Sequence, residues 1–454
     1  MHGEKMNSAV QPASLPDSPA QPDPLFETAV YRKVTWRLIP FLFMCYIFAY
    51  LDRVNVGFAK LQMQRDLHMS DAVYGFGAGI FFLGYLLFQV PCNMALQKIG
   101  AKYWLGPIMI VWGFVSACTM FATGGYGFYA LRFLLGVVES GFFPGVILYL
   151  TFWYPSKYRA KMVAAFMTAI PISGLIGGPV SGWLLNTMAS VGGLRAWQWL
   201  FIVEAIPSVV AGFLTMVYLQ DSPARAKWLS VAERALLTRR LSEDESARRS
   251  ALADHHHSFS AALGGRNVWL FCLMYFGTVM GNYGLQFWLP QIIKDTLTKD
   301  SFHIGLYTMI PWGTTAIVMV LVGHHSDKTG ERAWHLAMSA AAGGLGLALS
   351  AIPGISGGFG LFALTIATAG IISASANFWS LPTMYLSGAA ASGGIALINS
   401  IGNLGGQAGP YLIGQINQLT HSMTPALFTL ACGCWCSALL TLIFFRKRRS
   451  PSHA

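Results

Sequence analysis

Gly323-His-His-Ser-Asp327-Lys328-Thr-Gly330-Glu-Arg332 is a short polar stretch between two long apolar runs. Its spacing recurs in the chain. Asn93-Met-Ala-Leu-Gln97-Lys98-Ile-Gly100-Ala-Lys102 stands 230 residues earlier, again between two apolar runs. Both fit Gly or Asn, three residues, Asp or Gln, Lys, one residue, Gly, one residue, Arg or Lys. A second pair agrees: Gly174-Leu-Ile-Gly177-Gly178 aligns with Gly402-Asn-Leu-Gly405-Gly406, 228 residues on. Two matches at nearly one offset point to a duplicated unit.

The composition says what kind of unit this is. Of the 454 residues, 54% are hydrophobic and only 11% charged. A soluble domain carries roughly 25% charged residues, and a soluble fold could hardly hide this much apolar surface. A cytosolic enzyme, a disordered protein and a coiled coil are excluded, which leaves a polytopic membrane protein in contact with the lipid bilayer. The net charge of +11 does not point to nucleic acid, because the Lys and Arg residues fall mostly in short segments between apolar runs. The seven cysteines lie in or at the edges of those runs, so they read as packing residues, not a disulfide framework or a metal site.

About twelve runs reach spanning length, each roughly 20 residues. Their limits are near 36–58, 73–95, 103–122, 126–150, 162–187 and 198–219, then 267–289, 303–323, 334–353, 357–381, 391–416 and 423–445. The expected fold is an all-α membrane protein with two pseudo-symmetric six-helix bundles. The expected domains are a disordered tail (1–30), a first bundle (31–220), a polar linker (221–266), a second bundle (267–445) and a basic tail (446–454). The early part of the linker is compatible with an amphipathic helix, and His255, His256 and His257 read as solvated loop. With both termini cytoplasmic and the linker left out, 15 Lys/Arg lie on the cytoplasmic side against 5 opposite. That bias puts both termini in the cytoplasm.

The 323–332 stretch resembles the signature loop of the major facilitator superfamily, at Gly323, Asp327, Lys328, Gly330 and Arg332. The first-half copy departs from it: Asn93 stands for Gly and Gln97 for Asp, so the acidic gate residue is absent there. Three further stretches resemble the anion:cation symporter family within that superfamily. They are Tyr50-Leu-Asp52-Arg53-Val-Asn55-Val-Gly57, the segment from Arg132 to Pro144, and Trp197-Gln-Trp199-Leu-Phe201-Ile-Val-Glu204-Ala-Ile-Pro207. The likeness runs from about residue 30 to 445 and is greatest to bacterial permeases for tartrate, phthalate, hydroxyphenylacetate and sugar acids. It implies a monomeric, proton-coupled importer of a small organic carboxylate in the inner membrane, working by alternating access. It implies no cofactor. No Walker loop, nucleophile triad or metal-ligand cluster marks the chain as an enzyme.

Few ionisable residues lie inside the runs: Asp52, Arg53, Arg132, Glu139 and, near a run's start, Glu204. Charge at that depth costs at least ~2.5–3.5 kcal/mol per residue on insertion scales and usually marks a pathway. Arg132 and Glu139 are seven apart on one helix, hence on nearly one face with a rise of roughly 10 Å, too far for a direct bond between fixed backbones. Asp52 and Arg53 point about 100° apart. Each needs a partner from another helix, and the fourth run is the natural source.

Two arginines and two carboxylates sum to zero. Protonating Asp52 and Glu139 leaves +2, suited to an organic anion, and deprotonation lets each carboxylate compete for an arginine. An anion at the arginines therefore favours proton uptake, and the coupling is reciprocal. The resemblance implies the same roles: Asp52 and Glu139 for protons, Arg53 and Arg132 for substrate. The competing reading is buried ion pairs that only fix helix packing. For Glu204 a structural role at the helix entry is equally open.

Polar residues on cavity helices are further candidates: Tyr85 with Gln89, Asn282, Tyr283 and Gln286, Ser373, Asn377 and Trp379, and Asn399 with Asn403. The resemblance ranks Tyr85, Gln286 and Asn399 first; interhelical hydrogen bonds are the alternative, and packing is the commoner use of an aromatic such as Trp379. Gly174-x3-Gly178-Pro179-x2-Gly182-Trp183 resembles the fifth-helix motif of exporters, but exchange is not read from it. The alternatives kept open are an exchanger or drug and metabolite exporter of the same fold, and a non-transporting membrane sensor.

Overall fold

The computed structural model describes residues 23–252, 265–385 and 389–449. His255, His256 and His257, the first 22 residues and the last five lie outside them. The first crossing is α1 (Pro24–Val54) continued by α2 (Val56–Asp66), and the second is α3 (Asp71–Ile99). The third is α4 (Ala101–Cys118). The fourth is α5 (Gly125–Glu139) and α6 (Phe142–Thr151), and the fifth is α7 (Ser156–Met167) and α8 (Ala169–Thr187). The sixth is α9 (Ala196–Tyr218), and α10 (Val231–Leu252) forms the linker helix. The second half runs α11 (Arg266–Thr296), α12 (Ser301–Thr329), α13 (Arg332–Ser350) and α14 (Gly357–Phe378). It ends with the short α15 (Ser380–Tyr385), α16 (Ala389–Thr420) and α17 (Met423–Arg449).

Among the described residues, ten crossings are long and apolar enough to span a bilayer by composition. The other two, α13 and α16, have 19 and 32 residues and are rich in Gly, Ala and Ser. Helix α13 packs on α14 and α17, and α16 packs on α11 and, across to the first half, on α3. Twelve crossings result among the described residues, an even number that returns the end of α17 to the face from which α1 starts. Large apolar side chains such as Val217 (83% exposed) and Phe121 (70%) point outward, the reverse of a soluble core.

Helix α1 begins inside the segment 1–30 expected as a tail. Asp23 caps it, its carboxylate accepting from Leu25 N at 2.9 Å, and Pro24 fits the first turn, where no amide hydrogen is needed. Val30 and Tyr31 are buried, so these residues do reach a core. At the other end α17 continues through Arg449, into the expected basic tail. The linker is helical at α10 and bonds to the first bundle. Arg240 pairs with Glu27 at 2.6 Å, Lys33 with Glu233 at 2.8 Å, and Ser156 N donates to Asp244 at 3.0 Å.

The repeat is visible in the backbone. Gly100 (φ +92°) ends α3, and Gly330 (φ +71°) ends α12. An L-residue with a Cβ rarely adopts either conformation. The glycine-rich pair also takes matching places. In α8, a Cβ on Gly174 would strike Trp312 and one on Gly178 would strike Thr308, both on α12. In α16, a Cβ on Gly406 would strike Phe82 on α3 at 2.7 Å. Each half thus lays its fifth helix against the second helix of the other half.

These contacts between halves gather toward the face opposite the termini. Gly75 lies against Pro410, Gly414 against Asp71, and Gly182 against Ser301. On α11, every residue from Gly284 to Pro290 is buried, whereas Asn282 and Tyr283, nearer the termini, are partly open.

Candidate functional site

The four charged residues singled out in the sequence converge near the middle of the molecule. Asp52 and Arg53 occupy the last turn of α1, just before the bend at Asn55. Glu139 is the last residue of α5, where the fourth crossing breaks before α6 resumes. Arg132 lies two turns back on α5. All four are buried, Asp52 and Arg132 completely.

Arg53 takes the expected partner from the fourth crossing. Its Nε donates to Glu139 Oε1 at 3.0 Å, and its Nη2 donates to the same oxygen. Its Nη1 reaches across to the second half and donates to the Tyr283 hydroxyl at 3.2 Å. The rings of Phe81, Tyr85 and Tyr50 stand 5.1, 5.6 and 5.7 Å from its guanidinium carbon. Aromatic faces at such distances stabilise a desolvated cation.

Arg132 makes no bond to Glu139, as the rise between them predicts. Its Nη2 donates to the carbonyls of Arg53 (3.2 Å) and Ala78 (3.4 Å). Its Nε and Nη1 have no partner, and neither does Glu139 Oε2. Phe81 and Phe287 flank it at 5.3 and 5.8 Å. A buried cation with two unused donors is costly to leave so, and it is ready to take a carboxylate.

Asp52 departs from expectation. Its partners come from the third and sixth crossings, not the fourth. Ser208 Oγ donates to it at 2.5 Å, Ser116 Oγ at 2.8 Å and Trp112 Nε1 at 3.2 Å. The reason is the turn of α1: with Arg53 facing α5, Asp52 faces α4 and α9. Glu204, four residues before Ser208 on α9, accepts from Ser181 Oγ at 2.5 Å.

The polar candidates divide. Tyr85 belongs to the cage around Arg53. Gln286 accepts from the Tyr50 hydroxyl at 2.7 Å and donates to Asn282 at 2.5 Å. Asn399 donates to Gln89 Oε1 at 3.2 Å, a bond between the two halves. Trp379 packs on Tyr275 and Phe378 in the second-half core, not on the arginine cage. In the signature loop Arg332 pairs with Asp327 at 2.6 Å, Lys328 is exposed, and a Cβ at Gly323 would meet open space.

One buried charge escapes the sequence reading. Lys60 on α2 reads in sequence as a charge outside the membrane, but it is buried at 3% exposure. It pairs with Asp71 at 3.1 Å and stands 4.3 Å over the Trp288 ring. Asp71 in turn accepts from Gln64 (2.8 Å) and from Asn417 of the second half (2.6 Å). The available signal was helical spacing: Lys60 follows Arg53 by seven residues and so shares its face. Among the described residues no cluster of three or more metal-ligating side chains occurs.

Comparison with known proteins decides the family. The model of the Major Facilitator Superfamily matches residues 42–451. The chain belongs to that superfamily. It is a transporter of that family and not an enzyme. A protein of Agrobacterium vitis described as a candidate tartrate transporter is 46% identical over 93% of this chain and 92% of its own. A quinolone resistance transporter of Acinetobacter baumannii is 39% identical over 93% and 96%. Among solved structures, the inward-open xylose transporter XylE of E. coli superposes with a TM-score of 0.70 at 14% identity, over 90% of this chain and 96% of its own. That likeness bears on the fold alone.

Proposed function

We propose that the chain is a proton-coupled symporter that imports a small organic carboxylate by alternating access. The carrying observation is Arg132, wholly buried between aromatic rings with two donors unused. A carboxylate on that fork makes two charge-assisted bonds and neutralises the site. Arg53, Tyr85, Gln286 and Asn399 are the other substrate contacts; Trp379, packed on Tyr275 and Phe378, stands apart from them. Hydroxy acids such as tartrate, sugar acids and aromatic acids all suit this set; the tartrate transporter among the relatives favours the first.

Glu139 and Asp52 carry the protons. Glu139 holds Arg53 while ionised; protonated, it releases Arg53 to the substrate. Entry of an anion and of a proton therefore favour each other. The signature loop, with Asp327, Lys328, Gly330 and Arg332, serves as a gate on the termini side. The Lys and Arg bias supports cytoplasmic termini in the inner membrane, and a monomer suffices, because the site is complete within one chain. The halves then meet on the outer side, an inward-facing arrangement.

The experiment is uptake into proteoliposomes under an inward proton gradient, with labelled tartrate, sugar acids and aromatic acids. Accumulation of one acid, abolished by a protonophore, supports the reading. The second reading is export or exchange, favoured by the quinolone resistance relative. Counterflow of a non-acid with no accumulation of any acid would put it first. Binding without movement would indicate a sensor.

A further inference from the structure

The charge balance changes once Glu204 is counted. Six Asp, Glu, Lys or Arg residues are buried among the described residues: Asp52, Arg53, Lys60, Arg132, Glu139 and Glu204. Lys60 is balanced by Asp71. What remains is three carboxylates against two arginines, net −1 if all are ionised. An uncompensated charge in the protein interior is expensive, and the usual relief is a proton.

The hydrogen bonds say where that proton sits. Glu139 is bonded to a guanidinium. Asp52 accepts from three groups, and one of them, the Trp112 indole, can only donate. Three donors favour the ionised form. Glu204 has one serine bond and no cation. Its Oε2 has no partner of hydrogen-bond geometry, although the Asn55 amide lies beside the carboxyl.

The groups that face the two acids can be named element by element. Asp52 meets Ser116 and Trp112 on α4 and Ser208 on α9, and, through the field alone, Glu204 on α9 and Glu139 and Arg132 on α5. Glu204 meets Ser181 on α8 and lies beside Asn55, just past the end of α1, and it feels Asp52 through the field alone. Among the described residues no positive side chain bonds to either acid.

A way in exists. A cavity of about 20 Å³ lies between the halves, lined by Asn55, Ser181, Gln286 and Thr308. It is large enough for one water. Ser181 joins it to Glu204, and Ser208, one turn along α9, joins Glu204's helix to Asp52.

We propose that Glu204 is a third proton-bearing carboxylate, protonated at rest and placed in series with Asp52 on the side away from the substrate arginines. Its share in transport rests on the symport reading; its protonation at rest does not. With Glu204 neutral, Asp52, Glu139, Arg53 and Arg132 sum to zero, and the site stays balanced before substrate arrives.

The test is infrared spectroscopy of the full chain in lipid at neutral pH, reading the C=O stretch of a protonated carboxyl group. The wild type shows such a band, shifted in D2O. Glu204→Gln removes it and leaves thermal stability near wild type, since an amide mimics the neutral acid. Glu204→Asp keeps a band. A wild type without the band, or a band that survives in Glu204→Gln, overturns the proposal. Loss of proton-driven uptake in a protein that keeps the band would sink the symport reading alone.

Discussion

Arg53 and Glu139, on the first and fourth crossings, share two hydrogen bonds through a single carboxylate oxygen, and the other oxygen is left free. The pair joins α1 to the break between α5 and α6. The same arginine bonds Tyr283 in the second half. One side chain therefore links both bundles to the acid, and a change in that acid's charge is felt at the interface between the halves.

Glu139→Gln is expected to abolish proton-driven accumulation while leaving part of the counterflow activity. The amide keeps the shape and loses the exchangeable charge. Both are read in one proteoliposome preparation, with and without a gradient. A mutant that still concentrates substrate would remove Glu139 from coupling.

Arg132→Ala is expected to weaken substrate binding by about 10-fold to 100-fold, the range for losing a charge-assisted bond of ~1.5–3 kcal/mol. Arg132→Lys should recover only part, because a point charge does not reproduce a fork. Equilibrium binding to the purified protein measures both. Unchanged affinity would make Arg132 a packing residue.

Asp71→Asn removes the charge that balances Lys60 and weakens the tie to Asn417. Breaking one side of a buried pair costs ~3–5 kcal/mol. The face opposite the termini should open more often. A cysteine placed at Thr308, buried at 1% exposure, should then react faster with an impermeant thiol reagent from that side. An equal rate in both backgrounds would show that this network does not hold the face shut.

Gly75→Val should act at the same face by crowding. A Cβ there meets the Pro410 carbonyl, which is backbone and cannot turn aside. Overpacking of this kind costs ~1–3 kcal/mol, enough to shift a two-state balance by roughly tenfold. The same cysteine assay should report an increase. Slower labelling would mean that the valine is accommodated by another shift.

The sequence by itself determined a great deal here. Apolar runs of spanning length, the two copies of a Lys-Gly loop and the two glycine clusters were enough for twelve crossings in two related halves, because a bilayer admits so few backbone solutions. The same scarcity of charge marked Asp52, Arg53, Arg132 and Glu139, and helical geometry alone ruled out a bond between Arg132 and Glu139. Partner choice was beyond its reach. That Asp52 would turn to Ser116, Trp112 and Ser208, that Trp379 would join a core cluster, and that Lys60 would be buried on Asp71 depend on how helices rotate about their axes and how deep each one sits. Those angles and depths are set by packing among segments far apart in the chain, such as Gly178 on Thr308 and Gly406 on Phe82, and no local pattern encodes them.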